Sequence, residues 1–361
     1  QLIDELRPLA LDAQRAADLA VVLPELLGQD RPVSYFLAAA NPAESRGTIG
    51  FMGSFAVATF DQGRLEIGEF RSIHDLRDVP VDELDTQPPP VFQQRWRQFG
   101  GAGTWKNLNA TPDFPSAARA IEALWHQTQG ERLDGTILVD PFAFEALVRL
   151  SGPVDLPYGG KLRANAVVDY VANEAYDDFE TGEGRKSALG EVAAAALTDF
   201  LSADGDRDVT ATLRTLGRLL AQGHVRFHSA HPQAQSLLAD LGMDGALPAP
   251  RGDFLAVVTN SAANSKVDYY AQRTLDYDVS LREGGEAAGR LRIALDNEAP
   301  ADGRPKHVLG PSVSGLEAGD NRMLVSAYCT MACTWQRAGT AAPSPWTLGD
   351  GLGHAVADAF V

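Results

Sequence analysis

Asn41-Pro-Ala-Glu-Ser-Arg-Gly-Thr-Ile-Gly-Phe-Met-Gly-Ser-Phe55 sits between two strand-like runs, Val33–Ala40 and Ala56–Phe60. Short apolar runs bounded by turn residues read as buried strands. The joint between them carries Glu44 and Arg46 two residues apart, followed by glycines at 47, 50 and 53. Glycine admits positive φ and close backbone approach. A carboxylate and a guanidinium at a strand end suit a hydroxylated or anionic ligand, and equally suit a structural pair that pins a turn.

Outward from this joint, the chain alternates strand and helix patterns. Gln1–Leu27 has a helical, Ala- and Leu-rich rhythm, giving a lead-in over residues 1–30. Phe51–Phe60, Asp-Gln-Gly at 61–63 and Arg64–Phe70 read as a hairpin. Residues 74–103 read as an irregular loop containing Pro88-Pro89-Pro90. Helices are expected at 117–129 with Ser116 as cap, from Pro141 to Leu150, and at 165–179, 186–202 and 209–222; a strand is expected at 136–139. This mixture predicts an α/β core over 31–250, a mixed central sheet flanked by helices. From about Asp253 the pattern turns mostly to β, with strands at 254–259 and 323–335 and a long hairpin over 269–295. Residues 251–361 are therefore either an extension of the core sheet or a small second domain.

The chain has 361 residues and a formal net charge of −17. That charge argues against a nucleic-acid partner, which needs a basic patch. No apolar run is long enough to span a bilayer, so a membrane is reached only through an anchor upstream. Cys329 and Cys333 stand four apart, without further ligands at zinc spacing; a local disulfide and two free thiols both remain open.

Four polar stretches could carry chemistry. The first holds Glu44 and Arg46. The second, Trp105–Pro115, holds Asn107, Asn109 and Asp113 beside Trp105, a set suited to sugar hydroxyls and a stacked sugar face; Asp113 equally suits a helix cap. In the third, Asp134 and Asp140 bracket a strand, with Asp140 also placed to cap the next helix. The fourth comprises Asn165 and then Arg185-Lys186, whose charges oppose the dipole of the helix they precede. His224, His228 and His231 read as a solvated face. No phosphate-binding loop, dinucleotide fingerprint or serine-nucleophile elbow occurs.

In order, these stretches resemble the bacterial family known as domain of unknown function 4012. The resemblance rests on Asn41–Phe51, Asn109–Pro115, Leu133–Pro141, Ser151–Val154 and Asn165, with Asn260 and Lys266 matching a later Asn/Lys stretch. The order is also distantly similar to the LytR–CpsA–Psr family, which moves glycopolymers from polyprenyl pyrophosphate to the cell wall. There the matching pieces are Lys106-Asn-Leu-Asn109, Asp134–Asp140, Ser151–Val154 and Arg185. Where that family has Ser-Ile-Pro-Arg-Asp, this chain has Ser72-Ile-His-Asp75, without the arginine. The resemblance implies a LytR–CpsA–Psr-like core, an extracytoplasmic place of action (secreted or membrane-anchored) and hence a Cys329–Cys333 disulfide.

The preferred expectation is a glycoside hydrolase or transglycosylase acting on a cell-envelope polysaccharide, such as the furanose polymer arabinan, with no metal or cofactor. It requires carboxylates about 5–5.5 Å apart for retention or roughly 6.5–9.5 Å for inversion. Glu44 with Asp113 is the preferred pair and Asp140 the further catalytic candidate. Arg46, Trp105, Asn107, Asn109, Asp134, Asn165 and Arg185 are the expected substrate contacts. The first alternative is a phosphotransferase, in which Arg46 and Arg185 clamp a pyrophosphate and Asp113 or Asp140 holds Mg²⁺. The second is a non-catalytic glycan-binding module.

Overall fold

Val33–Asn41 forms β1, buried along most of its length as an interior strand with a neighbour on each side. The computed structural model describes residues 17–18, 20–156, 159–172, 209–249, 252–336 and 346–361. β1 pairs antiparallel with β2 (Phe51–Asp61), so the joint of residues 42–50 is a strand-to-strand turn at one end of the sheet. β2 continues into β3 (Arg64–Ile67) through Gln62 and Gly63, both at positive φ, the pattern of a two-residue primed turn that matches strand twist. The two-residue β4 (Arg71–Ser72) also pairs with β2.

Residues 74–103 contain more structure than a loop. Pro88-Pro89-Pro90 leads into α1 (Pro90–Trp96), where proline in the first turn gives up no intrahelical hydrogen bond. α2 (Phe114–Gln129) starts three residues before the expected helix, because Asp113 rather than Ser116 is its cap. β5 (Gly135–Val139) then returns parallel to β1. α3 (Pro141–Ser151) follows directly, capped by Asp140. A small pair, β6 (Val154–Asp155) and β7 (Lys161–Leu162), precedes α4 (Val167–Ala172). The rest of the helix expected to Phe179 and the helix expected over 186–202 lie outside the described residues, as does most of the lead-in, of which residues 20–26 are helical.

After α5 (Val209–Gln222), β8 (Val225–Ser229) adds antiparallel to β5, followed by α6 (Pro232–Asp240). The first sheet therefore runs β3-β2-β1-β5-β8, and α2 lies in the connection between its parallel pair, β1 and β5. Its core is aromatic. Phe36 stacks on Phe55 at 5.3 Å and on Trp105 at 5.7 Å, and Trp125 meets both phenylalanine rings edge-on at 5.8 Å. Such pairs add to the large apolar area these rings bury.

The C-terminal part forms a second sheet. β9 (Leu255–Ser261) is followed by the hairpin β10 (Ala271–Leu281) and β11 (Ala287–Asn297); β12 (Met323–Thr330), β13 (Thr347–Gly351) and β14 (His354–Phe360) complete the order β13-β14-β12-β9. The last two strands were not expected. Contacts tie this sheet to the first: Leu324 joins the aromatic core, and Arg95 of α1 forks onto Asp358 at 2.6 and 2.9 Å and onto Ser326 at 2.9 Å. Cys329 and Cys333 form a disulfide at the end of β12. Among the described residues no helix is long and apolar enough to cross a membrane.

Candidate functional site

The turn after β1 is built by its own polar atoms. Asn41 Oδ1 accepts from Ala43 N at 2.8 Å, and Phe51 N donates to Glu44 O at 2.9 Å, so residues 41–51 close on themselves. Gly50 has a φ of +112°, and a Cβ there would come within 2.6 Å of the Asn41 backbone. Gly47 passes so near the second polar stretch that a Cβ would meet Ala110 O at 2.2 Å. From below, Asn109 donates to Thr48 O at 2.8 Å and to Gly50 O at 2.6 Å. From the C-terminal part, Asp268 accepts from Ser45 N and Oγ, and Asn260 Oδ1 accepts from Gly47 N at 3.0 Å. Three remote segments thus hold one turn.

This scaffold places Glu44 between two cations. One oxygen accepts from Arg46 Nη2 at 3.0 Å and the other from Lys266 Nζ at 2.7 Å. Glu44 is 5% exposed and Lys266 9%. Both cations also lie over the Phe51 ring, Arg46 at 5.2 Å and Lys266 at 5.0 Å from its centroid. Burial pushes the Glu44 carboxyl up, but Lys266 and Arg46 outweigh it and hold the group below its ordinary range.

Glu44 and Lys266 line a cavity of about 350 Å³ at this end of the sheet. Its apolar lining is Ala39, Ala40, Phe51, Val139, Pro141, Phe144 and Val171. The polar groups are Asn41, Glu44, Ser54, His74, Asp140, Asn264, Lys266, His307 and Ser312. Asp140 Oδ1 caps α3, accepting from Phe142 N at 2.9 Å and Ala143 N at 3.0 Å, while Oδ2 lies 2.8 Å from His224 Nδ1. Burial pushes the Asp140 carboxyl above its ordinary value, against His224 and the two amides, which favour the anion.

The expected residues divide sharply. Glu44 and Asp140 line the cavity. Arg46 backs it but is spent within the protein: besides Glu44 it donates to Ser45 O at 2.9 Å and Lys106 O at 3.3 Å, which leaves it poorly placed to clamp a pyrophosphate. Asp113 is committed as a cap, accepting from Ser116 N at 3.1 Å and Leu247 N at 3.1 Å, and it does not line the cavity. Asn109 is fully buried in the turn, Asn107 donates to Phe99 O at 2.6 Å, and Trp105 is core. Asp134 pairs with Arg31 and Ser34 N at the opposite end of β5, beside a separate cavity of about 170 Å³. Asn165 is exposed on a turn outside the cavity lining. Arg185 lies outside the described residues.

The histidine expectation is corrected. His228 is 4% exposed and 2.8 Å from Glu122, His224 holds Asp140, and His231 reaches Glu25 at 3.1 Å. Edge strand β8 buries His228, while the turns at its two ends leave His224 and His231 partly exposed and paired. Sequence reasoning did not single out His307 or Asn264 as site residues; each is brought in by chain distant from the turn. Lys266 had a signal, its place in the Asn/Lys stretch.

The residues also do not fit a Mg²⁺ cage. Both Glu44 oxygens face cations, Asp113 and Asp140 are capping groups, and among the described residues no three His, Cys, Asp or Glu side chains gather as ligands.

Residues 30–176 match the model of a family described as protein of unknown function (DUF4012). The matched stretch is less than half of the chain. It contains the turn, α2, β5 and α3, and so supplies the Glu44 and Asp140 side of the cavity, while Lys266 and His307 come from beyond it. No curated protein matches the chain. Among solved structures the chain is distantly similar to TagV of Bacillus subtilis, a LytR–CpsA–Psr protein, at 13% identity and a TM-score of 0.33 over 62% of this chain and 87% of that one. It is similar at 14% identity to yvhJ of Bacillus subtilis (TM-score 0.30; 62% of this chain, 85% of that one). It is likewise similar at 14% identity to EF0465 of Enterococcus faecalis (TM-score 0.33; 59% and 72%). The last two are described as transcriptional regulators, and on that finding the exclusion of nucleic acid drawn from net charge is withdrawn. A global charge does not dictate the local field.

Proposed function

We propose that this chain is an extracytoplasmic enzyme that transfers a glycan from a lipid-linked phosphate or pyrophosphate donor to a cell-envelope hydroxyl. The observation that carries this reading is the unlike lining of the cavity. Val139, Pro141, Phe144 and Val171 offer an apolar surface, and Lys266 stands among hydrogen-bonding side chains on the rest of the lining. A free polysaccharide is polar along its length, whereas a lipid phosphoester joins an apolar chain to an anion. Lys266 is the ammonium of that lining, set against the Glu44 and Asp140 carboxylates, so an anion there would be held by a charge-assisted hydrogen bond from Lys266 and not by an excess of positive charge. The sequence resemblance to the glycopolymer transferases supports the same class, with Lys266 taking the anion-binding part expected of Arg46.

A second reading rests on a different observation. Glu44 is held down and Asp140 up in one cavity, and carboxyls pushed apart in this way suit the base and acid of a glycoside hydrolase. The Glu44–Asp113 pair has no such support.

The test is incubation of the purified chain with a polyprenyl-pyrophosphate-linked oligosaccharide and, separately, with free wall polysaccharide. The transfer reading expects consumption of the lipid-linked donor and inorganic pyrophosphate binding that weakens about 10- to 100-fold in Lys266→Met, the loss of one charge-assisted hydrogen bond. Release of free oligosaccharide instead, abolished by Glu44→Gln or Asp140→Asn, would establish the hydrolase reading.

A further inference from the structure

Asp140 is one residue with two duties. Its Oδ1 is occupied by two backbone amides of α3, and its Oδ2 by His224 Nδ1. A carboxylate has about four acceptor positions, so one remains. Asp140 also lines the cavity. His224 is outside that lining: its side chain is 28% exposed, and its ring lies tilted against Phe142 at 4.9 Å. The backbone repeats the connection, since Asp140 N donates to His224 O at 3.2 Å. The strand end and the turn before β8 are thereby locked in register.

We propose that Asp140 is the proton acceptor of the cavity and that His224 is its positioning residue, holding the carboxylate ionised and its remaining lone pair aimed inward. This rests on the transfer reading above. In the step, the acceptor hydroxyl's O–H bond breaks and its proton passes to Asp140 Oδ2. Its oxygen forms the new bond to phosphorus, and the lipid phosphate leaves with the electron pair of the broken P–O bond. Asp140 then gives the proton to solvent. An Nδ1–H bond suits this role because it stabilises the anion and orients it without blocking the cavity side. Half-buried Arg226 also acts on Asp140 and favours the anion; Glu44, Lys266, His74 and His307 share the cavity lining.

The experiment is carboxyl ¹³C NMR titration of the whole chain, with the Asp140 signal assigned by Asp140→Asn. His224→Phe keeps ring packing on Phe142 but removes the donor, and the Asp140 midpoint is expected to move to higher pH. His224→Gln restores a donor and should bring it back towards the unsubstituted protein. Imidazole ¹⁵N shifts should report hydrogen on Nδ1. Added inorganic pyrophosphate should raise the Asp140 midpoint by placing negative charge beside it. An Asp140 midpoint unmoved by His224→Phe, with only the melting temperature lowered, overturns the proposal and leaves a structural tie. Failure to bind pyrophosphate while the His224 variants still move the midpoint overturns the transfer reading and leaves the pairing intact.

Discussion

Glu44 accepts from Arg46 with one oxygen and from Lys266 with the other, so Glu44→Gln removes a charge while nearly preserving shape. Two buried cations then lose their common counter-ion, and the expected cost is about 3–5 kcal/mol at pH 7, measured by urea unfolding. The sign of the pH dependence follows from the lowered Glu44 pKa. Its stabilisation is present above the unfolded-state value and is lost as pH falls through the folded value. The gap between the unsubstituted protein and Glu44→Gln should therefore narrow on acidification. An unchanged gap from neutral pH to below pH 3 would refute this account of the cluster.

α2 shows what a single cap contributes to an element. Asp113 satisfies Ser116 N at the helix start and Leu247 N from the segment after α6. Asp113→Ala should cost about 1–2 kcal/mol of unfolding free energy, and Asp113→Asn much less, since asparagine also caps. Neither should alter pyrophosphate affinity, because Asp113 is absent from the cavity lining. A loss of affinity in a fully folded Asp113→Asn would restore it as a site residue. The turn at 42–50 is more demanding. Gly50→Ala combines a positive φ with a backbone clash, and should lower stability more than Asp113→Ala in the same urea series.

The two sheets meet through Arg95. Its guanidinium, buried between α1 and β14, bonds Asp358 and Ser326, and lies 5.1 Å from the Tyr328 ring. Arg95→Ala leaves Asp358 without its cation, with only Ser326 Oγ still donating to it at 2.6 Å, and is expected to cost about 3–5 kcal/mol; Arg95→Met with Asp358→Leu should recover much of it. A double variant no more stable than Arg95→Ala would refute this. The Cys329–Cys333 bridge closes a small loop at the end of β12, an interior strand of the same sheet. Its reduction should lower stability by about 2 kcal/mol on the loop-entropy scale, with two thiols appearing in denaturant only after reductant is added.

Much of this was legible from local pattern. The run Val33–Ala40, the Gln62-Gly63 turn and the Pro141 helix start are decided by residues adjacent in sequence, since side-chain period, turn chemistry and capping act over a few positions. So was the order of motifs that carries the family resemblance, and with it Glu44 and Asp140 as candidates. β8, β13 and β14 escaped because short strands acquire their character from partners, not from their own propensity. The roles of polar residues escaped for the same reason. Asn109, Asp113 and Asp134 have the composition of a glycan site, yet each is consumed by backbone or an ion pair supplied from elsewhere in the chain. Sequence alone determined which turn the molecule is built around. Only the tertiary structure decided what faces the cavity, because Lys266 lies 222 residues from Glu44 and His224 lies 84 from Asp140. Contacts at that separation are settled by packing and charge compensation, which no local stretch encodes.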